Sequence, residues 1–170
     1  MSLSLRILDA ISLLLFRLAC LLIFGIVALV TYDVLSRNLG LPTAVWAVNS
    51  VEYAMLHITF LCLPELVRTR GHVCVEVLLT YMPDGLRKTW ELGLHILSAL
   101  ICFYLAWQTA DSFLTALIKG TYEVRSYDMP NWLIYATMPL GFFFGGLQFL
   151  AFPIRGESFF GASPDAHAGM

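Results

Sequence analysis

Few residues in this sequence have the means to do chemistry, and most of them stand in apolar surroundings. His57 and His95 each lie inside a long hydrophobic stretch. If those stretches cross a bilayer antiparallel to one another, both imidazoles come to lie about 14–15 Å from the same surface, at a helical rise of 1.5 Å per residue. Two histidines at matched depth on adjacent helices could ligate a haem. Only one such pair is present, so an electron-transfer subunit of cytochrome b type, with haem between His57 and His95, is the alternative rather than the leading reading. Glu52 is the other conspicuous group, with Asn49 three residues earlier on the same helical face. A carboxylate at membrane depth is costly and needs a partner or a job. A proton relay, or a free-standing exporter built on Glu52, requires a chain of such groups. With one, a carboxylate bonded to a neighbouring helix or a partner chain is the simpler reading.

The remaining charges fall in groups. Glu65, Arg68, Arg70, His72 and Glu76, with Arg87, Lys88 and Glu91 across a short loop, form either a headgroup-anchoring belt or a docking surface for another subunit. Asp33 and Arg37, four apart, form a helix-surface ion pair worth only about 0.2–0.5 kcal/mol. Cys20, Cys62, Cys74 and Cys102 include no C-x-x-C pair and read as buried structural thiols. No phosphate-binding glycine loop, metal-ligand spacing or nucleophile–base arrangement is found. The residues therefore point to a protein that is not an enzyme, carries no ATP-driven motor and needs no cofactor.

The elements that must position these residues follow from composition. Hydrophobic residues make up 59% of the 170 and charged residues only 13%, against about 45–50% and 25% in soluble domains. The mean hydropathy is +0.77. A soluble domain of this size cannot hide that much apolar surface, so the fold class is an all-α integral membrane protein. A pI near 6.0 supplies no basic surface, so nucleic acid is not a partner, and membrane lipid is.

At about 20 apolar residues per span, the chain holds four. They fall at about 11–34, 44–67, 86–110 and 129–153, within a four-helix membrane domain over 1–154. The first is too long for a signal peptide and reads as a retained span; Arg17, one turn inside its amino end, is expected to snorkel to the headgroups. His72, Glu76 and Thr80 form one polar stripe at a spacing of four, which predicts a short amphipathic interfacial helix over about 72–82. Gly120 to Asp128 reads as a polar loop. Pro139 is expected to kink the fourth span, and Gly141, Gly145 and Gly146 to admit a close helix neighbour. Residues 155–170 read as a flexible cytoplasmic tail.

Orientation follows from the basic residues. One side carries seven (Arg6, Arg17, Arg68, Arg70, Arg87, Lys88, Arg155) and the other three (Arg37, Lys119, Arg125), so both termini are expected in the cytoplasm. Trp46, Trp107 and Trp132 then mark the outer ends of spans, as an aromatic belt should. Polar density is confined to the second span, unlike the broken helices and midplane clusters of a self-sufficient transporter.

The order of these features resembles the small permease subunit, DctQ-like, of tripartite ATP-independent periplasmic (TRAP) transporters. The matching pieces are Tyr32-Asp-Val-Leu-Ser-Arg37, Trp46 with Glu52, Arg70-Gly-His-Val-Cys-Val-Glu76, Met82-Pro83, Pro130-Asn-Trp132 and Met138-Pro-Leu-Gly141. The resemblance implies a multi-pass protein of the bacterial inner membrane. Its partners would be a large, DctM-like permease subunit and a periplasmic substrate-binding protein. Uptake of a carboxylate would be driven by the sodium gradient. Arg37, Trp46, Glu52, Arg70, His72, Glu76, Gly141 and Gly145 are the candidate interface or structural residues.

Overall fold

The computed structural model describes residues 3–41, 45–69, 84–123 and 128–155. The interfacial helix expected over 72–82 and residues 156–170 of the expected tail lie outside them. Helices α1 (Leu3–Asn38) and α3 (Asp84–Lys119) each run 36 residues, or about 54 Å against a hydrocarbon layer of about 30 Å. Helix α2 (Val45–Arg68) is shorter. The fourth hydrophobic segment is in two pieces, α4 (Asn131–Tyr135) and α5 (Met138–Arg155). Four stretches, Leu3–Asn38, Trp46–Arg68, Thr89–Lys119 and Asn131–Arg155, are long and apolar enough to cross a membrane.

Local chemistry explains where these helices stop. Gly40, at φ +69°, takes the left-handed position after α1. The Leu41 N–H then bonds back to Ser36 O at 2.9 Å and the Gly40 N–H to Arg37 O at 3.3 Å, a Schellman arrangement that satisfies the last carbonyls. Gly120, at φ +56°, ends α3 the same way. Past it, β1 (Tyr122–Glu123) and β2 (Met129–Pro130) pair antiparallel, Tyr122 opposite Pro130. The segment expected to be a plain polar loop thus contains one strand of a ribbon. The α4–α5 break falls at Ala136–Thr137, where Pro139 has no N–H to offer the Tyr135 carbonyl. The expected kink is therefore a full interruption.

The helices are not adjacent in chain order. Helix α5 lies between α2 and α3, α1 packs along α2 and also touches α5, and α4 packs over α3. The spatial order is α1, α2, α5, α3, with α1 and α3 at opposite edges. The end of this row that holds the start of α1 and the finish of α5 is the terminal end; the other is the distal end. Helices α2 and α5 run parallel, as the successive pairs His57–Thr137, Phe60–Phe142 and Val67–Phe152 show. Helices α5 and α3 run antiparallel, through Phe143–Phe103 and Phe152–His95.

The closest seam is that between α2 and α5. Pro64 sits inside α2 and cannot donate to the carbonyl four residues back, that of Phe60. A Cβ built on Gly141 would overlap that same Phe60 oxygen, so the carbonyl without a helical donor is turned toward the one residue type that lets α5 approach it. One turn on, a Cβ at Gly145 would lie 3.3 Å from Leu63, while one at Gly146 would meet Cys102 and Phe103 of α3 at 3.2 Å. Glycines thus bring α5 close to both neighbours at once. Around them, Leu15, Ala19 and Leu61 form a small core with Phe144, and Val67 and Phe152 form another. Gly141→Ala is expected to cost about 1–3 kcal/mol through overpacking, read as a lower melting temperature in detergent. Gly93→Ala, where a Cβ meets nothing within 4 Å, should leave melting unchanged or raise it.

Candidate subunit-interface site

Polar side chains at the terminal end close on one another across helices. Arg155, the last residue of α5, donates from Nη2 to Asp9 Oδ1 of α1 at 2.6 Å. Two turns earlier on the same face of α5, Gln148 Nε2 donates to the same oxygen at 3.2 Å and to Ser12 Oγ at 2.8 Å. Ser12 Oγ in turn donates to Leu8 O at 3.0 Å. Gln148 and Ser12 are almost wholly buried. On α2, Arg68 grips Glu65 with two N–H groups, Nε to Oε2 at 2.8 Å, and Asp9 lies near enough for its charge to act on Arg68. The result is a direct tie of the last helix to the first, with an ion pair internal to the second helix beside it.

Four of these residues were not candidates at the level of sequence. Asp9, Ser12 and Gln148 carry no motif, and Arg155 counted only toward orientation. A weak signal existed in Gln148, an amide inside the otherwise apolar α5, which hydrocarbon penalises unless it is bonded. Glu65 and Arg68, assigned to a belt or docking surface, are bonded to each other.

The two histidines do not form a pair. Helix α5 stands between α2 and α3. His57 Nδ1 shares a hydrogen bond of 2.7 Å with Thr137 Oγ1 at the helix break, whereas His95 stacks on Phe152, centroids 5.4 Å apart. Thr137 and Phe152 lie at opposite ends of α5, about 22 Å apart along its axis. Matched depth fails because His95, stacked on Phe152, is level with Val67 near the end of α2, so the first turns of α3 pass beyond that end; α3 also runs on to Lys119, well past the apolar stretch ending at Ala110. For the same reason Trp107, taken as marking the outer end of that span, lies inside α3.

At the distal end Arg37 pairs with Asp33 at 2.9 Å, the guanidinium 55% exposed. Trp46 is exposed, and so is Glu52, which has a partner within the chain. Asn49 is buried. Gly141 and Gly145 serve the α2–α5 seam rather than an outer surface. Arg70, His72 and Glu76 lie outside the described residues. Cys20, expected to be buried, is exposed on α1, and Cys62 and Cys102 are half-buried. A polar cleft of about 350 Å³ opens beside the ribbon, lined in part by Asp111, Lys119, Asn131 and Tyr135. Two clefts along the described spans are apolar, one of about 400 Å³ between Phe103, Ala106 and Pro139 and one beside Trp90 and Leu97.

Cutting one side of the terminal network leaves the other charge partly buried and unpaired. Arg155→Met is expected to destabilise by about 2–3 kcal/mol, and the Asp9→Asn, Arg155→Met double variant by less than the sum of the singles. Melting of the four proteins of that cycle in detergent measures the difference.

A search of curated proteins gives no match. The family model described as "Tripartite ATP-independent periplasmic transporters, DctQ component" matches residues 26–157, from the middle of α1 to just past α5. That match takes in all of α2 to α5, both glycine contacts and the Arg155 end of the network. The chain is a multi-pass membrane protein and belongs to the DctQ component family of tripartite ATP-independent periplasmic transporters.

Proposed function

We propose that this chain is the small membrane subunit that braces the large permease of a TRAP transporter. The family assignment supports the transporter role. The observation that carries the bracing role is the fate of the polar groups at the terminal end: they are spent on joining α5 to α1 and on an ion pair within α2. A solute route needs polar side chains turned into a shared passage, and two clefts along the described parts of these spans are lined almost wholly by apolar groups. A rigid helical layer is what an elevator-type transporter needs beside its fixed part, since one body must stay still while another crosses the bilayer. The sodium and substrate sites then belong to the large subunit, and capture of a carboxylate to a soluble periplasmic protein. The excess of basic residues at the terminal end supports placing both chain ends in the cytoplasm of a bacterial inner membrane.

Tagged chain extracted from native membranes is expected to bring down a second membrane protein of many more spans in equal amount. Deleting its gene should abolish sodium-dependent uptake of an organic acid, while the soluble protein keeps its affinity for that acid. Recovery of the chain alone, with uptake intact after deletion, would sink the proposal.

A further inference from the structure

We propose that the outward edge of α1, centred on Arg17, is the face that meets the large subunit, and that the partner helix seated there presents an acidic residue to the Arg17 guanidinium. The proposal rests on the bracing role above and adds the face and its chemistry. Arg17 was expected one turn inside the membrane, free to snorkel. The packing of its neighbours sets its level in the row. Helix α1 begins at Leu3, and the neighbours of Arg17 along the helix, Leu15 and Ala19, pack with Leu61 of α2 and Phe144 of α5. Leu61 lies about 10 Å from the terminal end of α2, and Phe144 about 16 Å from that of α5. An arginine stem covers little more than one helical turn, about 6 Å, so the guanidinium stops short of the terminal ends of both helices.

Arg17 is nonetheless exposed, and among the described residues no hydrogen bond or ion pair engages it. A lone cation facing lipid at that depth is the costliest arrangement open to it, and an acyl chain offers its five donors nothing. The positions around it are built for a helix. Leu14, Arg17, Leu21, Phe24 and Ala28 are all exposed and follow a 3-4-3-4 spacing, the seam that a single neighbouring helix fills. Helix α1 is also the least covered of the four: 11% of its most apolar window is buried, against 22–28% in the others. One carboxylate on the partner satisfies the guanidinium through two parallel hydrogen bonds, so the occupant is a membrane helix bearing an acid at the level of Arg17.

A photo-crosslinking residue placed at Leu21 or, on the opposite edge of the row, at Leu100 tests this in native membranes, with adducts identified by mass spectrometry. Leu21 should give an adduct with a membrane protein of many spans, and Leu100 adducts with lipid. Adducts with that protein from Leu100 alone would overturn the edge assignment and leave the bracing role standing. Lipid adducts alone at both positions would overturn both, and an adduct of Leu21 with a second copy of the chain would overturn the assignment. In parallel, Arg17→Leu should lower recovery of the partner about tenfold with unchanged extraction yield of the chain, and Arg17→Lys should retain most of it. Full recovery with Arg17→Leu would count against the acidic contact.

Discussion

The structure depends on a backbone contact in the middle of the layer. Pro64 leaves the Phe60 carbonyl of α2 without a helical donor, and Gly141 lets α5 come up against it. A carbonyl left bare in hydrocarbon costs several kcal/mol, so the proline in one helix and the glycine in the other make sense only as a pair. Weak Cα–H donors of the approaching helix are the natural compensation. With α5 held there, Gly146 on another face of α5 admits α3, and the row acquires its order.

That order separates what the sequence shows from what it hides. Four apolar stretches were legible because hydrophobicity over about 20 residues is a strong signal. The glycine triad was legible too, as a group of small residues that would admit a neighbour. Which neighbour was not legible, because adjacency in space does not follow adjacency in the chain. His57 and His95 were paired on the assumption that spans two and three touch, and α5 occupies the place where they would meet.

Helix ends were harder to read than helix cores. Asp111, Ser112 and Thr115 look like the start of a loop, yet α3 carries through them to Gly120 on alternating apolar residues such as Phe113, Ala116 and Leu117. At the other end, Arg6 and Asp9 look like flanking charges, yet α1 begins before them, and Asp9 turns inward to Arg155. The terminal network escaped notice because its members lie about 140 residues apart in the chain and no local pattern links them. The level of Arg17 in the row was hidden for a related cause: it is set by the packing of Leu15 and Ala19, not by the hydropathy of its surroundings.

The central position of α5 also bears on how the molecule is made. Helices leave the ribosome in chain order, and the helix on which both α2 and α3 rest emerges after them. Helices α1 and α2 can settle as a hairpin while synthesis continues. Helix α3 enters the membrane with no native neighbour in place, and its long lipid-exposed flank must be tolerated, or shielded by an insertase or chaperone, until α5 slides between. Quality control of this subunit is thereby concentrated in one late event, the docking of its final hydrophobic segment.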